Sequence, residues 1–289
     1  MNLWTLLADQ PLFFLSMAAV FGLLVGSFLN VLVHRLPIML ERQWRREAQE
    51  ALGLPSEAHA PLNLCLPASH CPHCGHRIRA WENVPVLSYL ALRGRCSACK
   101  VKISVRYPLV ELGCAALTLL AAWQGGPTLQ TLAMMLLGWC LLALSLIDIE
   151  HQLLPDTLVL PMLWLGLIVN AFGLFVPLDE ALWGAVFGYI SLWSVFWLFK
   201  LVTGKDGMGY GDFKLMALIG AWGGWQVLPL TLMLSSLVGA LVGLCLLRWR
   251  NASMGTAIPF GPYLAIAGWI ALLWGDEIST FYLQLIGLS

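Results

Sequence analysis

The feature that most constrains this chain is a succession of apolar runs that carry almost no charge. They fall at about 11–33, 108–123, 128–147, 157–176, 181–199, 213–224, 226–247 and 259–275. A helix that crosses a bilayer needs about 20 such residues at about 1.5 Å of rise each. Turn-forming residues separate most of the runs, as in Gln124-Gly125-Gly126-Pro127 and Pro177-Leu178-Asp179. The run at 213–224 is short, which leaves a half-helix or a helix that continues past Trp225. The count is therefore about eight, with seven as the alternative. Charged residues make up 11% of the chain, against about 25% in soluble domains. An ordinary water-soluble domain is excluded, and an all-α polytopic membrane protein is predicted. The first run, Pro11 to Val33, follows no basic residue and precedes no small-residue cleavage site, so it reads as a retained span.

Charge is balanced overall but unevenly placed. Eleven of the sixteen Lys and Arg lie between Arg35 and Arg106. Basic residues collect in cytoplasmic loops. With eight spans and an outside N-terminus, all sixteen fall on the cytoplasmic side, including Lys200, Lys205, Arg248 and Arg250. Asp9, Asp179, Glu180, Asp276 and Glu277 then face the other way. Residues 35–107 form the segment polar enough to fold in water, inserted between the first and second spans. It opens with Glu41-Arg42-Gln43-Trp44-Arg45-Arg46-Glu47, which predicts an amphipathic helix near anionic headgroups.

Within that insertion stand Cys71-Pro72-His73-Cys74-Gly75 and Cys96-Ser97-Ala98-Cys99-Lys100, 21 residues apart. Two CxxC knuckles at such a separation fit a four-cysteine zinc site, each turn presenting two thiolates to one side of a tetrahedral ion. Cys71, Cys74, Cys96 and Cys99 are the candidate ligands. Four thiolates leave no open coordination position, so the expected role of Zn2+ is structural, supplying folding energy to a segment too small for much core. A disulfide pair is the competing reading, which a reducing cytosol disfavours. His70, His73 and His76 are possible substitute ligands, and more simply solvated loop residues. Cys114, Cys140 and Cys245 lie in apolar spans, where Cys acts as a small hydrophobe.

Ionisable residues beside membrane spans point to function. Asp148 ends the run Leu141–Ile147, Asp156 follows Leu153-Leu154-Pro155, and Asp212 closes Gly207-Met208-Gly209-Tyr210-Gly211. Asp156 precedes Thr157 at a helix start, where a carboxylate caps free N–H groups; this structural role is favoured for it. Asp212 has a similar capping alternative, and Asp148 that of an interfacial loop residue. Yet the three glycines let backbone approach a peptide or helix closely, and they place Asp212 at the depth and on the face of Asp148. Two neighbouring carboxylates share one proton; the ionised one can activate water while the protonated one polarises a carbonyl. That is aspartic protease chemistry. Proton-coupled transport is the alternative, although transport sites usually lie near the bilayer midplane. A non-catalytic assembly factor, the third class, has no need of paired acids beside a glycine-rich loop. Lys214 either tunes Asp212 or contacts substrate, or is a snorkelling lysine.

Gly209-Tyr210-Gly211-Asp212 matches the GxGD signature of membrane aspartyl proteases, and the whole chain resembles the type IV prepilin peptidases. The matching blocks are Gly26-Ser27-Phe28-Leu29-Asn30-Val31 with His34-Arg35-Leu36-Pro37, both knuckles, Arg106-Tyr107-Pro108-Leu109-Val110-Glu111, Asp148 to Asp156, Gly207 to Lys214, and Ile258-Pro259-Phe260-Gly261-Pro262-Tyr263. The resemblance implies a bifunctional enzyme of the bacterial inner membrane. Such an enzyme cuts the basic leader from type IV prepilins and type II secretion pseudopilins at the cytoplasmic face. It then N-methylates the new N-terminal residue with S-adenosylmethionine. By motif, Asp148 and Asp212 correspond to the catalytic dyad and the four knuckle cysteines to the tetrad of long-form members. The implied organisation is a first transmembrane helix over 1–34, a cytoplasmic zinc-binding domain over 35–107 and a membrane aspartyl protease domain over 108–289. Partners are the prepilins and the lipid bilayer, with no nucleic acid. No glycine-rich strand-to-helix fingerprint for a nucleotide-like cofactor occurs. Trp81, Glu82, Asn83 and Arg106 read equally as fold elements, so no S-adenosylmethionine-binding residue is assigned.

Overall fold

The computed structural model describes residues 7, 9–55, 61–250 and 259–285; Ile258 lies outside the described residues, as do the side chains of Arg248 and Arg250. Among the described residues the regular elements are helices, with two isolated β-bridges. In order they are α1 (Pro11–Ala51), a 3₁₀ turn (Ala80–Asn83), α2 (Leu87–Ala91), α3 (Arg106–Gly125), α4 (Leu129–His151), α5 (Asp156–Ala171), α6 (Leu178–Thr203), α7 (Tyr210–Gly223), α8 (Val227–Arg250) and α9 (Gly261–Leu285). Each of the eight apolar runs falls on one of α1 and α3–α9. Six of these helices are long and apolar enough to cross a membrane. The other two, α5 with 16 residues and α7 with 14, are shorter. The ambiguous run at 213–224 is thus a short helix, closed at Gly224 by φ +76°, a conformation glycine adopts without steric cost.

The predicted amphipathic segment is not a separate surface helix. It is the far end of α1, whose 41 residues rise about 60 Å, twice the bilayer core. Pro37 removes one hydrogen bond without ending the helix. Beyond it, side-chain pairs four residues apart support the helix: Arg45 to Glu41 at 2.8 Å and Gln43 to Glu47 at 2.9 Å.

The chain divides into two compact units, Met1–Trp139 and Cys140–Ser289. In the first, α1 and α3 run antiparallel at backbone contact. A Cβ at Gly22 would lie 2.7 Å from the Ala115 Cα, and one at Gly26 would lie 2.7 Å from the Glu111 Cα. Small residues permit such approach where lipid supplies no hydrophobic drive. One turn further, Asn30 Nδ2 donates to the Tyr107 carbonyl at 3.1 Å, fixing the register. Past that point the buried Arg35 donates to the carbonyls of Asn63 at 2.9 Å and Pro67 at 2.7 Å. It thereby ties the start of the polar insertion to α1.

The second unit is organised around α7, in contact with α5, α6, α8 and α9. Eleven of its fourteen residues are buried. Gly184 of α6 meets Gly220 of α7 so closely that a Cβ on either would overlap the other's backbone. A Cβ on Gly188 would lie 2.6 Å from the Met216 carbonyl oxygen. Asn170 of α5 closes the C-terminal end: its Nδ2 donates to the carbonyls of Ala221 at 2.9 Å and Trp222 at 3.1 Å, which have no partner within the helix. Trp222, fully buried, donates its indole N–H to the Met162 carbonyl at 2.9 Å.

Candidate active site

Asp148 and Asp212 are brought together in the second unit, each 6% exposed. Asp148 lies one turn before the end of α4, where Gln152 donates its N–H to the Asp148 carbonyl at 2.9 Å. Its side-chain Oδ2 accepts the backbone N–H of Gly261 at 3.0 Å. Gly261 opens α9, so this N–H is one that no carbonyl within the helix can satisfy. A Cβ there would stand 2.7 Å from the same oxygen; glycine is what lets the helix end reach the acid.

Asp212 is the third residue of α7, whose N-cap is Gly209. Its backbone N–H donates to the Gly209 carbonyl at 3.2 Å, and its carboxylate lies within the electrostatic reach of Asp148. Gly211 has its own steric reason: a Cβ there would lie 2.8 Å from the Cβ of Leu154. Leu154 also approaches Gly261, its Cδ2 lying 3.3 Å from where a Cβ would sit. A buried leucine is thus wedged between the two helix starts that flank the acids. Two carboxylates so placed can share one proton, an arrangement in which one activates water and the other polarises a carbonyl.

Asp156 and Lys214 belong to the surroundings. Asp156 is the first residue of α5, after the N-cap residue Pro155. Both its oxygens accept from Lys214 Nζ at 2.7 Å. The lysine two residues from Asp212 is therefore engaged by Asp156, and the pair clasps the 152–156 turn to α7. Leu154 and the Gly261 N–H carry no sequence signal of their own. The proline–glycine block 259–262 was the visible hint for Gly261.

In the first unit, Cys71, Cys74, Cys96 and Cys99 place their sulfurs within 4.8 Å of one another. All eight cysteines are free thiols. The Sγ atoms of Cys71 and Cys99 lie 3.8 Å apart, and a tetrahedron with Zn–S bonds of about 2.3 Å has edges of about 3.8 Å. The donor set and its size fit Zn2+. The two knuckles repeat with a shift of 25 residues. Cys71 donates its N–H to His76 and Gly75 to Cys71, both at 2.9 Å; Cys96 donates to Val101 at 2.9 Å and Lys100 to Cys96 at 3.1 Å. The bridges His70–Arg77 and Arg95–Lys102 follow the same shift. The N–H groups of Cys99 and then Ala98 are aimed at the Cys96 sulfur and hold its thiol down, at about 6. The histidines stay outside the cluster among the described residues. His76 instead meets Glu82 and Ser97, each at 3.2 Å, linking one knuckle to the other. The Arg79 N–H, 2.8 Å away, and the Ser97 hydroxyl hold Glu82 down, at about 2.

The comparisons agree with this pairing of a cysteine-bearing unit and an acid-bearing one. Residues 20–125 match the bacterial Peptidase A24 N-terminal domain and residues 135–244 the type IV leader peptidase family. A prepilin leader peptidase/N-methyltransferase of Pseudomonas putida is 71% identical over 99% of this chain and 100% of its own. Proteins of the same description from Pseudomonas aeruginosa and Aeromonas hydrophila are 67% and 56% identical, over 100% of both chains and over 94% and 95%, respectively. No solved structure matches the chain. With identity this high over whole chains, and with both halves matched in order, the chain belongs to the type IV leader peptidase family.

Proposed function

We propose that this chain is a bifunctional prepilin leader peptidase and N-methyltransferase of the bacterial inner membrane. It cleaves the basic leader of type IV prepilins and type II secretion pseudopilins at the cytoplasmic face, then methylates the new N-terminal residue with S-adenosylmethionine as donor. The observation that carries the peptidase half is the pairing of two buried acids, Asp148 and Asp212, at the ends of packed helices. As a dyad, one carboxylate takes a proton from water as its oxygen attacks the scissile carbonyl. The other gives its proton to the carbonyl oxygen, and collapse of the tetrahedral adduct delivers a proton to the leaving amine. The Gly261 N–H engages one oxygen of Asp148 and leaves the other for the reaction.

In this reading 1–34 is the first span, 35–107 the cytoplasmic zinc-binding domain and 108–289 the protease domain. Cys71, Cys74, Cys96 and Cys99 hold Zn2+ in a closed four-sulfur set, which supplies folding energy to the insertion. The cytoplasmic placement of this segment and of the acids rests on the Lys and Arg distribution. The methyltransferase half rests on the descriptions of the relatives.

The test is cleavage of a prepilin in liposomes by the wild type, Asp148→Asn and Asp212→Asn. Loss in both variants, with metal content and thermal stability unchanged, is expected; cleavage that persists in either overturns the dyad. Transfer of a labelled methyl group from the donor to cleaved product tests the second half, and cleaved but unmethylated product removes it.

A further inference from the structure

The short helix α2 is fixed at the membrane edge by a bond that neither the dyad nor the cysteine cluster uses. Val86, its N-cap residue, donates its N–H to Glu111 Oε2 at 2.8 Å. Glu111 lies in the second turn of α3, a helix long and apolar enough to cross a bilayer. The register of Asn30 against Tyr107 puts the polar end of the α1–α3 pair in the same layer. A helix anchored there begins in the headgroup region rather than in bulk water.

What α2 turns outward fits that place. Leu87 and Leu90 are 66% and 65% exposed, and three residues apart they share a face. Directly after them come Arg93, Arg95, Lys100 and Lys102, all exposed. Arg95 and Lys102 stand opposite each other across a bridge, while Arg93, Arg95 and Lys100 line one depression with Leu92. No acid occurs between Leu87 and Val105. Apolar anchors beside an uncompensated cationic rim, held at the membrane edge, are the chemistry of an interfacial site for anionic lipid. A basic peptide, such as the proposed leader, is repelled by the same charge.

We propose that Leu87 and Leu90, with Arg93, Arg95, Lys100 and Lys102, form a lipid-docking surface that seats the cysteine-knuckle segment on anionic headgroups of the leaflet next to α3. The site is separate from the dyad, so its failure and that of the peptidase reading are distinguishable.

The test is amide exchange over 84–103 in the full-length, metal-loaded protein. It is measured in nanodiscs of phosphatidylcholine alone and of phosphatidylcholine with phosphatidylglycerol. Exchange about tenfold slower in the anionic discs is expected, since each basic residue near such a surface strengthens attachment by roughly fivefold. High salt, or Arg93→Gln with Arg95→Gln and Lys102→Gln, should abolish the difference while metal content is retained. Leu90→Ser should speed exchange in both lipids. Should a variant lose its metal, the wild-type comparison at low and high salt decides alone. Equal exchange in both lipids overturns the proposal. So does protection that appears with a prepilin but not with anionic lipid, which assigns the face to substrate.

Discussion

The cysteine-knuckle segment and the α7 hub are held together by opposite means. The knuckles bury little apart from Cys71 and Cys96, and their order comes from short backbone hydrogen bonds, the His76–Glu82–Ser97 link and four converging sulfurs. Around α7 the order comes chiefly from close packing, with a few side-chain hydrogen bonds at its ends. Its glycines and those of α6 let backbones touch, and Asn170 satisfies the carbonyls that the helix leaves open. Lipid offers apolar side chains nearly as good an environment as protein does, so close packing must carry the association. In water, a segment this small has little core, and the proposed metal supplies what the core does not. One chain therefore uses two stabilising strategies, split along the boundary between its two solvents.

The sharpest way to separate the regions is to remove chemistry without touching packing. Asp148→Asn and Asp212→Asn should lower prepilin cleavage by at least about a thousandfold, because acid and base roles are lost together. Melting temperature and metal content should stay near wild type, as read by thermal denaturation and metal analysis. Chelation is expected to do the reverse. Structural zinc contributes on the order of 10 kcal/mol, so its removal should deprotect 61–105 in amide exchange while α5–α7 keep their protection. With thiolates as the proposed ligands, metal should be lost as the medium is acidified and regained on neutralisation.

Smaller effects test the packing itself. Gly184→Ala or Gly220→Ala drives a methyl group into facing backbone, which should cost about 1–3 kcal/mol and lower the melting temperature, with metal content unchanged. Lys214→Met breaks a partly exposed pair with Asp156, so stability should fall by no more than about 1 kcal/mol. A large loss of cleavage in that variant would instead mark the clasp on the 152–156 turn as part of the positioning of Leu154.

The eight helices were legible because apolar length and turn residues are local properties, and so were the cysteine knuckles, whose spacing is itself the signal. The continuity of α1 was not. A run of charged residues after Pro37 reads as a new element, and only the helix pairs Glu41–Arg45 and Gln43–Glu47 reveal the extension. Asp148 and Asp212 could be picked as a pair from their shared depth. What holds them was hidden, because Gly261 meets Asp148 across 113 residues and Leu154 acts through shape alone. Asp156 read as a cap because it stands at a helix start, but its lysine partner lies 58 residues away.

The brevity of α7 has a consequence of its own. Fourteen residues rise about 21 Å, some 9 Å less than the bilayer core. At the Gly223 end the backbone is closed off by Asn170 and a fully buried tryptophan. The other end carries Gly209, an exposed Tyr210 and Gly211 ahead of Asp212. A helix of that length does not span the core by itself, and the non-helical backbone that continues it is tolerated only where protein or water satisfies its polar groups.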